Sequence, residues 1–93
     1  MNTLANIHPG EILFEEFLQP LNITQSQIAE AIHLSVQDIN DIIQGQKNIT
    51  ADTAIRFSIY FGTSDKFWLG LQNDYDLEQA RESVDFAQIR KVA

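Results

Sequence analysis

Apolar residues recur along this chain at three- and four-residue steps, and strict alternation is absent, so the pattern predicts helices and no strand. Pro9 stands where a first helical position tolerates a missing N–H. Behind it Leu13, Phe17 and Leu21, flanked by Phe14 and Leu18, form the inner stripe of a first helix. Pro20 does not fit deep inside a helix, so this one is expected to end near Leu18 or Gln19, with Asn22 in a connecting turn. Glu11, Glu15 and Glu16 fall on or near its outer face. Adjacent helical residues point about 100° apart, and nothing else completes a site, so Glu15 and Glu16 read as a solvated face and not as a catalytic carboxylate pair.

The next 26 residues, TQSQIAEAIHLSVQDINDIIQGQKNI, predict two short capped helices around a tight turn. Thr24 followed by Gln27 is a capping-box pattern, and Ile28, Ala29 and Ile32 give the second helix its apolar side. His33 and Leu34 make the turn. Ser35 repeats the cap, Val36, Ile39, Ile42 and Ile43 form a buried stripe, and Gly45 ends the third helix by permitting positive φ. Its outward face carries Gln37, Asp38, Asn40, Asp41 and Gln44.

Thr50 caps a fourth helix with Ala54, Phe57, Ser58 and Phe61 on one face, and Gly62 stops it. Ile55, Ile59 and Tyr60 are left on other faces, where some of them are expected to cover a neighbouring helix or a partner chain. Ser64 caps a fifth helix, expected over about 64–83, with Phe67, Trp68 and Leu71 as core aromatics and aliphatics and a charged, solvated continuation from Asp74 to Glu82. Asp85 is placed to cap a last turn through Phe86 and Ile89, and the closing RKVA reads as a frayed end.

A length of 93 residues with 44% hydrophobic content suits one all-α domain over 1–93, with one core. The absence of cysteine excludes a disulfide framework and thiolate metal sites, and favours an intracellular setting. No targeting signal opens the chain, and no segment approaches the roughly 18 apolar residues that a membrane span needs. The N-x-T sequences at Asn22 and Asn48 read as turn and cap chemistry. Six basic residues against thirteen acidic ones give a net charge of −7, which favours solubility or a basic partner and repels phosphate at long range. Catalysis has little to stand on: there are two well-separated histidines, His8 and His33, each read as a capping or surface residue, and no phosphate-cradling glycine loop. No metal or cofactor is expected.

The segment over 24–45 has the layout of a DNA-reading helix-turn-helix, in which the first helix braces on the backbone and the second enters the major groove. Gln25, with the free N–H groups at its helix start, is placed for phosphate. Gln37, Asn40 and Gln44 suit adenine, because an amide donates and accepts together, and Val36 suits a thymine methyl. Lys47 is the one cation placed for backbone contact. Asp38 and Asp41 oppose phosphate while permitting cytosine; residues 24–50 hold Glu30, Asp38 and Asp41 against Lys47, a sum of −2. The candidate DNA-contacting set is thus Thr24, Gln25, Ser35, Val36, Gln37, Asn40, Asp41, Gln44 and Lys47. A dimer on a palindrome, with half-sites about 34 Å apart, would make up for weak single-site affinity. Spacing alone also allows two packed helices with no nucleic-acid role.

The motifs IHPGEIL, NITADTAIRFSIYFGTS and above all FWLGLQNDYDL, together with the helix-turn-helix, resemble the HigA antitoxins among the XRE-type, phage-repressor-like helix-turn-helix proteins over about residues 7 to 85. The resemblance implies a five-helix, lambda-repressor-like domain with a C-terminal helical extension. It implies a homodimer that binds its own operator and neutralises a HigB-type toxin, a basic ribonuclease. The chain departs from the family at Val36, where Arg or another polar residue is frequent, and at Gln46, where Lys or Arg is frequent. Two alternatives remain: a repressor with no toxin partner, and a protein-binding module that no longer reads DNA.

Overall fold

Every helix starts at a side chain able to accept from an otherwise unpaired N–H. The computed structural model describes residues 6–92 and holds five helices with no strand among them; residues 1–5 and 93 of the chain lie outside the described residues. Helix α1 opens with an α-helical turn, Pro9–Ile12, and continues as a π-helical segment, Leu13–Leu18. Then come α2 Gln25–Ile32, α3 Val36–Ile43, α4 Ala51–Phe61 and α5 Asp65–Ser83. His8 Nδ1 accepts from the Gly10 N–H at 2.9 Å, and Ser35, Thr50 and Ser64 accept from Asp38, Thr53 and Phe67. The capping box of α2 is reciprocal: Gln27 N–H donates to Thr24 Oγ1 at 3.1 Å while Thr24 N–H donates to Gln27 Oε1 at 2.7 Å.

The π segment corrects the expected α-helical stripe of Leu13, Phe17 and Leu21. The Gln19 N–H bonds to the Phe14 carbonyl five residues back, which under-winds the helix and brings Leu13 and Leu18 to the core together. Leu21 lies beyond the helix end in the turn and is 58% exposed. Asn22 takes the left-handed conformation there, at φ 57°.

The core gathers Leu13 and Leu18 from α1, Ile28, Ala29 and Ile32 from α2, Ile39 and Ile42 from α3, Ile49, then Ala54 and Phe57 from α4 and Trp68 from α5. Trp68 is fully buried, its ring centroid 4.9 Å from that of Phe17 and 5.0 Å from that of Phe57, and its Nε1–H donates to Thr63 Oγ1 at 2.7 Å. Phe67, expected beside it in the core, packs edge-on to the Trp68 ring but is 40% exposed, because its neighbouring helical position faces away from α4. On α4, Tyr60 packs partly on the core, while Ile55 and Ile59 stand exposed. Beyond α5, Asp85 accepts from the Ala87 N–H and Ile89 N–H bonds to Phe86, a turn whose apolar side chains stay exposed.

Candidate nucleic-acid interface

The turn between α2 and α3 is fixed by backbone bonds. His33 sits at φ 60°, Leu34 N–H donates to the Ala29 carbonyl at 3.0 Å, and His33 N–H reaches the Glu30 carbonyl at 3.4 Å. This is a helix C-terminus closed by a left-handed residue, here without glycine. Arg56 of α4 donates through Nη1 to the Ile32 carbonyl at 2.7 Å and through Nε to Asp52 at 2.6 Å, so it ties α4 to the end of α2. At the far end of α3, Gly45 takes φ 77° and Gln46 N–H donates to the Asp41 carbonyl at 2.8 Å, which turns the chain sharply toward Lys47. Both ends of α3 are therefore held, and its burial is confined to one side: Ile39 and Ile42 are buried and Ile43 partly so.

Val36 departs from the buried stripe to which its spacing assigns it. It is the first residue of α3, in a turn that overhangs the core, and it is 47% exposed. It thereby joins the outward set with Gln37 and Gln44, both exposed, and Asn40 and Asp41, both half-buried. Thr24 and Ser35 are exposed at the two helix starts, and Gln25 is half-buried. Each capping hydroxyl spends a lone pair on its helix and keeps its O–H to donate.

Two members of the set are already engaged within the chain. Gln37 Nε2 donates to Asp41 Oδ1 at 2.7 Å, one helical turn along. Lys47 Nζ donates to Asp38 Oδ1 at 2.6 Å, so the cation expected to meet phosphate is paired with the carboxylate expected to repel it. That hydrogen bond holds the Asp38 carboxyl below its ordinary value and raises the Lys47 ammonium above its own. Gln25, Asn40 and Gln44 keep their amides without a side-chain partner among the described residues.

Three further residues have structural roles, and of these the sequence marks His8 as a helix cap and leaves the packing of Gly10 and the bonds of Gln72 hidden. Gly10 lies against the backbone of α3 at Ile42. Buried Gln72 accepts from the Ile49 N–H at 2.7 Å and donates to Asp76 at 3.0 Å, which fixes the segment between α3 and α4. His8 is buried: with Nδ1 accepting from Gly10, the ring carries its proton on Nε2, which donates to Asn48 Oδ1 at 3.3 Å. Among the described residues no group of three or more His, Asp or Glu is placed to hold a metal ion, and no helix is long and apolar enough to cross a membrane.

Comparison with known proteins finds the same fold and family. The helix-turn-helix family pattern matches residues 14–68. The chain is 46% identical over 81 residues to virulence-associated protein I of Dichelobacter nodosus, covering 87% of this chain and 75% of that protein. It is 36% identical over 72 residues to antitoxin HigA-1 of Vibrio cholerae, covering 77% and 68% respectively. Its fold superposes with a TM-score of 0.90 on the crystal structure of PA4674 from Pseudomonas aeruginosa in complex with its 18-bp operator DNA, at 39% identity, covering 97% of this chain and all of that one.

Proposed function

The chain belongs to the helix-turn-helix family and, within it, to the HigA antitoxins, and from this we propose that it binds the operator of its own operon and neutralises a basic, HigB-type ribonuclease toxin. The family comprises regulators and antitoxins and is not a class of enzymes; the chain has no catalytic role in this reading. One observation carries it: an α3 held at both ends, with Gln37, Asn40 and Gln44 turned outward, in a fold whose relative PA4674 was solved on operator DNA.

Gln37, Asn40 and Gln44 read base edges, Val36 meets a thymine methyl, and Asp41 orients the Gln37 amide. Thr24, Gln25 and Ser35 hold phosphate through their side-chain donors and the free N–H groups of the two helix starts. The chain works as one unit over 1–93 and as a homodimer, because a recognition segment with a net charge of −2 gains too little from phosphate to bind alone. Operator binding puts it in the cytoplasm. The overall charge of −7 suits a basic toxin better than it suits random duplex.

A mobility shift with the DNA upstream of its own reading frame, against random duplex, tests the repressor half. Binding tighter to the upstream fragment is expected; equal binding to both sinks it. Gln37→Ala combined with Asn40→Ala is expected to abolish the preference while leaving the melting temperature unchanged, and a preference that survives would show that another face reads the DNA. The toxin half is tested by co-expression with the short basic protein of an adjacent reading frame, where growth should be rescued by this chain.

A further inference from the structure

We propose that Asp38 holds DNA affinity down by keeping Lys47 from the phosphate backbone, so that base contacts and not charge have to carry binding to the operator. The inference rests on the operator-binding reading above. Its basis is where the pair sits. Asp38 is in the first turn of α3, where its own N–H is fixed by Ser35. Lys47 lies past the end of the same helix, where its backbone N–H is fixed to the Asp41 carbonyl at 3.1 Å. The 2.6 Å bond between their side chains therefore joins the first turn of the reading helix to the segment just past its end. Both residues border a small cavity of about 160 Å³ that Leu34, Ile42 and Thr53 also line.

The electrostatic result follows from counting charges. Lys47 is the only basic residue between 24 and 50. If it stays on Asp38, it neutralises no phosphate. If it leaves for a phosphate, it exposes Asp38 to the same duplex. In either arrangement the pair brings no net positive charge to the DNA. Binding to random duplex comes almost wholly from phosphate neutralisation, whereas operator binding also draws on base contacts; the pair withholds the same phosphate contact from both, which leaves random-duplex binding with little and operator binding with its base contacts. Asp38 thus acts through Lys47, as a positioning residue, without itself needing to touch a base.

The test measures operator and random-duplex binding of the full chain across a range of salt concentrations. Asp38→Asn keeps the side-chain shape, and an unchanged thermal melt certifies the fold. Random-duplex and operator binding should both tighten several-fold, with their ratio little changed. The slope of log affinity against log salt should steepen by about 0.9, the value for one added phosphate contact. In a Lys47→Gln background the same substitution should leave the slope unchanged, a result that a merely structural role for Asp38 would not give. An unchanged affinity and slope in Asp38→Asn, or a slope change that persists without Lys47, overturns the proposal while leaving the operator reading intact. A wild-type chain with no preference for its upstream DNA overturns both.

Discussion

Gly10 shows at the scale of one residue how tightly the reading helix is seated. A methyl group added there would lie 1.8 Å from the Ile42 carbonyl oxygen and 2.9 Å from the Ile43 Cα, both backbone atoms of α3. No rotamer relieves such a contact, so either α1 or α3 has to move. Gly10→Ala is therefore expected to destabilise the fold by at least ~1–3 kcal/mol, the usual cost of overpacking, measured by thermal or denaturant melting; a melting temperature equal to wild type would mean that the two helices are less closely packed. The sequence displays Gly10 within a distinctive HPGE motif, but the need for a missing Cβ becomes visible only when α1 is laid across α3. Lys47 has a similar history. Its charge and place after Gly45 were legible, and its pairing with Asp38, nine positions earlier, was not, because the sharp turn at Gly45 that brings them together is a feature of three dimensions.

At the scale of elements, helix starts were legible and helix windings were not. Thr24, Ser35, Thr50 and Ser64 all cap where local chemistry puts them, since a cap depends only on the three residues that follow. The π winding of α1 depends instead on which side chains the rest of the core accepts. Leu13 and Leu18 are five positions apart, and the stripe of α-helical spacing through Leu21 was an equally good reading until the core chose between them. Gln72 belongs to the same class of hidden information: in sequence it is one more polar position on α5, yet it alone meets the buried N–H of Ile49. Gln72→Ala should cost ~1–3 kcal/mol by leaving that N–H unpaired. Chemical denaturation checks the loss, and a variant as stable as wild type would mean that the N–H finds another partner.

For the molecule as a whole, a small core depends on one large side chain. Trp68 is enclosed by rings from α1 and α4, with Phe17, Phe57 and Phe61 all within 5.8 Å between centroids. Trp68→Ala is expected to destabilise by ~3–5 kcal/mol, as truncation of a buried aromatic does, and an unchanged melting temperature would remove Trp68 from the core. That helices α1 to α5 share one core was legible from periodicity. The elongated shape, 51 Å against 29 and 21 Å, agrees with the charged run from Asp74 to Glu82 read as a solvated helical continuation. In α5 the residues from Asp76 to Ser83 are exposed apart from the half-buried Ala80. Opening these last turns uncovers almost no apolar surface, so their local unfolding is nearly independent of the global transition. Amide exchange is therefore expected to be faster over these turns than over the core helices, and slowed where the Asn6 amide donates to the Tyr75 carbonyl and to Gln79.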